Sequence, residues 1–320
     1  MSRLIPIKSS KRKIDFASEV EDAKASIKKR KTVSIWNNLP KDMLFLLANT
    51  MSYGNVLELK KVWNEVDDQK IKYLVDKVDR DLFCFNVGRI DFSYLEKIEI
   101  RLPTPYFISL LFAAFTRKGV SNLKSFIFFL YERDDWGLPL LDQILQKSAD
   151  LEELSLQLRF TPNSSQFGWM KTLKKVRELD FSVNGSDVFL LRSLFGFIES
   201  ISNWISIYLK GFTFSRVTSL FFKLVDEFKK NSDTLEDLYL RDMALFDVDM
   251  DHLIDTLPSL TNLMRLTLGT NLTFEKKAQV CAKVKLLPKL KEVWFRDDVD
   301  LVEMIHKVSS GTPKTMIIVF

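Results

Sequence analysis

The sequence predicts an α/β solenoid, in which strand–helix units stack to form a curved parallel sheet, preceded by a small helical module. Two observations lead to this fold class. A spaced apolar triplet recurs at nearly constant intervals through the last two thirds of the 320 residues, and residues between the triplets show helical apolar spacing. Residues 33–80 do not fit the repeat and are therefore assigned to the helical module.

A basic tail opens the chain, since residues 1–32 contain ten Lys or Arg residues and four Asp or Glu residues. Its formal charge is +6, which leaves −1 on the rest of the chain. We expect this tail to be disordered, because its composition cannot bury a core. The excess charge lies in the tail, so the basic isoelectric point does not indicate a nucleic-acid-binding surface on the folded part.

Two clusters of basic residues in this tail resemble nuclear-import signals, which bind an acidic receptor groove as extended peptides. The clusters are Lys11, Arg12 and Lys13, then Lys28, Lys29, Arg30 and Lys31. The alternative is a tail that only increases solubility. We predict a nuclear or cytoplasmic protein, because no secretory signal or membrane-spanning apolar run is found and two separated cysteines, Cys84 and Cys281, exclude a disulfide framework.

The helical module, residues 33–80, begins with Leu39-Pro40 and an acidic residue, a sequence typical of a helix start. Apolar residues from Met43 to Met51 then recur on one helical face. Gly54 and Asn55 interrupt this helix, and a second one begins at Val56.

The repeat is an apolar residue, two variable residues, an apolar residue, one variable residue and an apolar residue. Nine triplets follow this pattern, starting at Leu95, Leu123, Leu151, Val176, Trp204, Leu235, Leu263, Leu290 and, in degenerate form, Thr315. Their starts are separated by 28, 28, 25, 28, 31, 28, 27 and 25 residues. Such regular spacing predicts one short strand per unit, with the triplet facing the core and the residues between its members facing the other way.

Helices are predicted between the strands, for example from Val217 to Phe228, where apolar residues recur three and four positions apart. Pro258 and Pro288 follow two such segments and favour helix ends there. One strand–helix unit cannot bury its apolar stripe alone, whereas stacked units can. These features resemble the leucine-rich-repeat family in its longer, helix-containing form, and we assign residues 81–320 to this domain.

This sequence differs from the family pattern at the Asn that stabilises the turn after each strand. Only Asn184 and Asn271 occupy that position. The other units have Pro103, Tyr131, Arg159, Phe212, Met243 and Asp298 there. We therefore expect irregular turns.

The helical module resembles the F-box over residues 33–70: Leu-Pro, apolar pairs, a turn from Ser52 to Asn55, then Leu-x-Leu-Lys-Lys-Val. Asn55 replaces the family's usual Asp, and Val66 stands where Trp is common, with Trp63 nearby. The resemblance implies docking on a Skp-type adaptor held by a cullin scaffold, through an apolar helix face. The implied docking residues are Leu39, Pro40, Met43, Leu47, Leu57 and Val62. The alternative is a plain helical cap on the solenoid.

The sequence offers no pattern of catalytic or metal-binding residues. His252 and His306 have no Cys or second His at ligand spacing, and the ten glycines form no phosphate-binding loop. No Ser or Cys lies in a nucleophile motif. We therefore expect neither an enzyme nor a cofactor.

A partner-binding patch is predicted on the sheet face opposite the core, in the C-terminal half. Aromatic and arginine side chains dominate binding hot spots, although Tyr and Trp also favour strands for structural reasons. The patch contains Tyr208, Lys210, Tyr239, Arg241, Trp294 and Arg296. It suits a peptide with apolar and acidic features.

Together, the resemblances imply a substrate-recognition subunit of an SCF-type ubiquitin ligase, with an adaptor at one end and an unidentified protein target at the other. Its contribution is to raise local concentration. Two alternatives remain: a repeat scaffold that binds no adaptor, and a nuclear factor that binds nucleic acid through its basic tail.

Overall fold

The computed structural model describes residues 51–62, 72–101, 103–118, 122–130, 137–162, 167–215, 217–269, 272–295 and 317–319. Over these residues the chain alternates between strands and helices. The strands are β1 (Tyr73–Val75), β2 (Lys97–Arg101), β3 (Ser125–Leu130), β4 (Glu153–Leu158), β5 (Glu178–Ser182), β6 (Ser206–Lys210), β7 (Asp237–Arg241), β8 (Arg265–Gly269), β9 (Glu292–Phe295) and β10 (Ile317–Val319).

The α-helices are α1 (Tyr53–Val62), α2 (Asp76–Asn86), α3 (Pro105–Lys118), α4 (Gly137–Gln146), α5 (Val188–Glu199), α6 (Thr218–Lys230), α7 (Asp247–Thr256) and α8 (Phe274–Val284). Short 3-10 helices lie at Phe92–Tyr94, Gly168–Lys171 and Leu257–Ser259. Among the described helices, none combines the length and apolar character needed to cross a lipid bilayer.

The strands form one parallel sheet in which each strand pairs with the next one in the chain, from β1 to β10. Lys97 aligns with Ser125, and the alignment continues through Glu153, Glu178, Ser206, Asp237, Arg265, Glu292 and Ile317. These intervals equal those between the apolar triplets. The predicted α/β architecture of stacked strand–helix units is therefore confirmed.

The sheet begins one unit before the first triplet, because Tyr73 in β1 aligns with Lys97 in β2. Leu74 is fully buried, but Asp76 occupies the place of the last apolar triplet residue and starts α2. This first unit therefore lies partly in the range that the sequence assigns to the helical module, 33–80.

The triplets form the core of the solenoid. Each of the first eight triplets has all three apolar side chains buried, with none more than 6% exposed. Full burial of one such side chain contributes about 1.5–3 kcal/mol. A triplet is covered by its own helix and by the triplets above and below, so each unit completes the core of its neighbours.

A second ladder of backbone hydrogen bonds runs just ahead of the strands. In each unit from β2 to β9, one N–H group donates to a carbonyl of the preceding unit over 2.7–2.9 Å. The donors are Glu96, Lys124, Glu152, Arg177, Ile205, Glu236, Met264 and Lys291. This ladder extends the parallel pairing into the turns and fixes the stacking of consecutive units.

The turns after β6 and β7 replace the expected Asn with buried apolar residues, Phe212 and Met243. The residue before each, Gly211 and Asp242, has a positive φ, 77° and 50° respectively. The Gly211 N–H donates to the Arg241 carbonyl at 2.9 Å, so the turn is held by backbone pairing with the next unit. The predicted irregularity of these turns therefore consists of a residue with positive φ and backbone pairing in place of the family's Asn.

Gly211→Ala is expected to destabilise the protein. A Cβ atom there would lie 1.8 Å from the Val183 carbonyl oxygen, in a backbone conformation that L residues rarely adopt. We expect a loss of at least about 2 kcal/mol in the free energy of unfolding, measured by urea denaturation.

The matched control is Gly196→Ala, since Gly196 lies inside α5 and a Cβ atom there would contact nothing within 4 Å. That change should stabilise the protein by about 1 kcal/mol. Equal effects of the two substitutions would contradict the described turn.

Candidate protein-binding surface on the sheet

Side chains at alternate strand positions face away from the core and lie in three parallel rows across the sheet. The N-terminal row contains Lys97, Ser125, Glu153, Glu178, Ser206, Asp237, Arg265 and Glu292. The middle row contains Glu99, Ile127, Ser155, Asp180, Tyr208, Tyr239, Thr267 and Trp294. The C-terminal row contains Phe129, Gln157, Ser182, Lys210 and Arg241, and Gly269 occupies the same position in β8.

Tyr208 and Tyr239 form a stacked pair at the centre of the middle row. Their ring centroids are 3.8 Å apart with an interplanar angle of 14°, because β6 and β7 place them side by side. Burial, followed by a hydrogen bond with the Tyr239 side chain, raises the pKa of Tyr208. The pair therefore places two stacked aromatic rings with their hydroxyl groups on the open face of the sheet.

Asp180 lies beside this pair and is held by three side chains of the same face. Its Oδ2 atom accepts hydrogen bonds from Ser155 Oγ at 2.7 Å and from Gln157 Nε2 at 3.0 Å. Ser182 Oγ donates to Oδ1 over 3.4 Å. Burial raises the pKa of Asp180 in spite of these hydrogen bonds. The network fixes a carboxyl group on the floor of the sheet face.

Two cations end β6 and β7 and share one carboxylate. Lys210 Nζ lies 3.4 Å from Asp242 Oδ2, and Arg241 Nε lies 3.5 Å from the same oxygen. The Arg241 Nε atom is buried and makes no hydrogen bond within the described part of the chain. Gly269 makes room for Arg241, because a Cβ atom on that glycine would lie 2.8 Å from Arg241 Cγ.

Some of these residues line a pocket of about 720 Å³ at the carboxyl ends of β4 to β7, called here the strand-end pocket. Its described lining residues are Gln157, Leu158, Arg159, Ser182, Val183, Asn184, Gly185, Tyr208, Lys210, Gly211, Thr213, Arg241 and Asp242. Three of them are cationic and one is anionic, which gives this lining a formal charge of +2. Most of its polar side chains can donate hydrogen bonds, so the pocket suits an anionic group.

The opposite end of the strands is acidic. The N-terminal row contains four carboxylates, Glu153, Glu178, Asp237 and Glu292, of which Asp237 is paired with Arg265. Burial, followed by the neighbouring carboxylates, raises the pKa of Glu178. The sheet face is therefore polarised in net charge: acids outnumber Lys97 and Arg265 where the strands begin, and cations outnumber Asp242 at the strand-end pocket.

Four of the six patch residues predicted from the sequence lie close together, namely Tyr208, Lys210, Tyr239 and Arg241. Trp294 lies two strands away on β9 and is 40% exposed, while Arg296 lies outside the described residues. The predicted patch omitted Asp180, Gln157, Arg159 and Asp242. The alternation of strand positions already placed Asp180 and Gln157 on this face, but nothing in the sequence distinguished them from ordinary polar sheet residues.

The predicted adaptor-binding residues are described only in part. Leu57 in α1 is partly buried against the solenoid core, and Val62 is the last residue of α1. Leu39, Pro40, Met43 and Leu47 lie outside the described residues, as do all the predicted nuclear-import residues in 11–13 and 28–31.

The remaining candidates for chemistry are metal-binding groups and the two cysteines. Within the described ranges, no group of three His, Cys, Asp or Glu side chains is arranged to hold a metal ion. Cys84 and Cys281 are free and half-buried, and burial raises the pKa of both thiols. Raised thiol pKa values reduce the population of reactive thiolate at neutral pH.

Asp180→Asn is expected to stabilise the protein at pH 7, because an amide has no charge to desolvate and its oxygen can still accept the Ser155 and Gln157 hydrogen bonds. Burial raises the pKa of Asp180 above its ordinary value of 3.8. The wild-type protein should therefore gain stability as the pH falls through the raised pKa, while the variant does not.

The difference between urea midpoints should be largest at pH 7 and should shrink towards about pH 4. The control is Asp187→Asn, a helix cap with no such burial. A less stable Asp180→Asn protein at pH 7 would show that the ionised carboxylate is favoured on this face.

No model of a protein family matches this sequence, and no curated protein matches it either.

Proposed function

We propose that this chain is the substrate-recognition subunit of an SCF-type ubiquitin ligase. The F-box-like segment would dock on a Skp-type adaptor bound to a cullin, and the open face of the sheet would hold the target protein. The observation that carries the proposal is the attachment of α1, the last part of the F-box-like motif, to the first unit of the solenoid.

Asp79 makes this attachment. Its side chain is 1% exposed, and its two oxygens accept three backbone N–H groups. Oδ1 accepts from Gly54 at 2.7 Å, and Oδ2 accepts from Tyr53 at 3.2 Å and from Val75 at 2.6 Å. One carboxylate in α2 thus binds the first turn of α1 and the last residue of β1. A carboxylate at a helix N-terminus is favourable because it meets unpaired N–H groups and the positive end of the helix dipole.

Apolar contacts strengthen the joint. Tyr53 and Val56 in α1 are 1% and 3% exposed, and Tyr53 belongs to the continuous core that includes Leu74 and Phe83. The solenoid and α1 therefore share one core. A shared core supports the proposal, because a ligase subunit acts by holding its target at a fixed position relative to the adaptor.

The same geometry also supports the second candidate, a scaffold whose amino-terminal segment only caps the solenoid. The first unit of a repeat array needs its outer apolar side covered, and α1 covers part of it with Tyr53 and Leu57. The two candidates differ in whether a Skp-type adaptor binds.

Adaptor binding is expected for the full chain and should be lost in a Leu39→Ala/Pro40→Ala variant, because docking buries an apolar helix face. The measurement is co-purification with a Skp-type adaptor. Tyr239→Ala is the matched control and should retain the adaptor, since Tyr239 lies on the sheet face. Failure of the wild-type chain to bind the adaptor would leave the scaffold as the proposed function.

Asp79→Ala is expected to loosen α1 without unfolding the middle of the solenoid, since three N–H groups would lose their acceptor. Hydrogen exchange should show faster exchange in residues 53–62, while β5 to β7 remain protected.

Asp187→Ala is the matched control, because Asp187 caps α5 through the Leu190 N–H at 2.6 Å. It should accelerate exchange in α5 and leave residues 53–62 unchanged. Unchanged exchange in α1 of the Asp79→Ala protein would contradict the proposed joint.

A further inference from the structure

The strand-end pocket and its aromatic border indicate the chemistry of the partner. We propose that the pocket binds an extended segment of a protein partner in which acidic side chains alternate with apolar ones. The segment would run across β4 to β7 along the carboxyl ends of the strands. This inference rests on the proposed function in taking the sheet face as the target-binding surface, and it names the class of target.

The cations of the pocket are spread over several strands. Arg159 follows β4, Lys210 ends β6 and Arg241 ends β7. Neighbouring strands lie about 4.8 Å apart, so these positions extend over roughly 14 Å. Lys210 and Arg241 already approach one oxygen of Asp242, whereas Arg159 follows a strand two places away from that of Lys210, so a row of carboxylates matches all three cations better than a single oxyanion does. In an extended peptide, side chains at alternate positions point the same way and are about 6.6 Å apart, so three of them span roughly 13 Å.

The Arg241 guanidinium forms a hydrogen bond with the Tyr239 side chain, but one of its donors has no such partner among the described residues. Its Nε atom is buried, lacks a hydrogen bond within the described residues, and lies 3.5 Å from its nearest carboxylate oxygen. A buried donor of this kind favours an added acceptor. Tyr208, which stacks on Tyr239, lines the same pocket.

Two exposed aromatic side chains lie at the starts of the helices that follow β5 and β7. Phe189 lies in the first turn of α5 and is 66% exposed, and Phe246 lies at the start of α7 and is 51% exposed. Each comes four residues after a residue that lines the pocket, Gly185 and Asp242 respectively. Exposed aromatics on the helices that follow two pocket-lining turns favour a partner that presents apolar side chains between its acidic ones.

The polarity of the sheet face sets the direction of the segment. An acidic segment lying along the strands would meet the carboxylates of the N-terminal row, including Glu153 and Glu178. A segment that crosses the strands at their carboxyl ends avoids these like charges. The charges therefore favour binding of an acidic segment at the carboxyl edge of the sheet over binding along the strands.

The test uses the full chain and a fluorescein-labelled synthetic peptide of alternating glutamate and apolar residues, Glu-Phe-Glu-Leu-Glu-Phe-Glu, followed by fluorescence anisotropy. Three other probes are compared with it: a peptide of the same composition with its glutamates in one block, a peptide with one phosphoserine and no glutamate, and a single-stranded oligothymidine. We expect the alternating peptide to bind most tightly and its affinity to fall as the salt concentration rises.

Lys210→Glu/Arg241→Glu should weaken binding of the alternating peptide at least about tenfold. Lys210→Gln/Arg241→Gln should weaken it in the same direction, and it avoids placing new carboxylates beside Asp242. The matched control is Lys174→Glu/Lys229→Glu, which changes the net charge equally at two exposed lysines away from the pocket.

Phe189→Ala/Phe246→Ala should weaken binding severalfold. Leu286→Ala is its control, since Leu286 is 68% exposed and lies past the far end of α8.

Equal binding by the wild-type chain and both pocket variants would overturn the proposal. Tighter binding of the block peptide, the phosphoserine peptide or the oligothymidine would also overturn it. So would the absence of binding by the alternating peptide. The adaptor experiment is independent, because it depends on Leu39 and Pro40. Loss of adaptor binding with intact peptide binding would overturn the ligase function alone, and the reverse result would overturn the peptide site alone.

Discussion

Parallel backbone pairing between consecutive units is the interaction on which the rest of this structure depends. Every strand pairs with the strand of the next unit in the chain, and the hydrogen bonds ahead of the strands continue this pairing into the turns. Because the register is kept from β2 to β9, an apolar triplet residue in one strand lies on its equivalent in the next unit. The core is a continuous column for this reason, and no unit buries its own triplet alone.

The sequence predicted the strands well wherever the triplet was complete, since Leu238 and Leu240 can only be buried together if the segment between Leu235 and Arg241 is extended. It missed β1 because Asp76 interrupts the pattern. It also gave no sign that the unit after β4 contains a 3-10 helix, Gly168–Lys171, where most others have an α-helix. That outcome depends on packing between units and not on the local apolar period.

For the candidate binding surface, the sequence predicted which side chains lie on the open face and in which row. It did not predict the contacts between these side chains. Alternation places Tyr208 and Tyr239 on the open face, and the repeat interval makes them neighbours. The position of Arg241 depends on three further features: the absence of a side chain at Gly269, the left-handed backbone of Asp242 and the shared contact with Lys210. These features join residues of different units, so no pattern within one unit reveals them.

The polarity of the sheet face is itself a consequence of parallel topology. In an antiparallel sheet, strand starts and strand ends alternate along each edge, and a charge preference at one strand position cancels. Here every strand starts at the same edge. Carboxylates at the first strand position, as in Glu153 and Glu178, therefore add up along one edge, and cations at or just after the last position, Arg159, Lys210 and Arg241, add up along the other. A modest bias in a repeated unit thus gives the described part of the sheet a charge difference between its two edges, on which the proposed selection of a partner by charge depends.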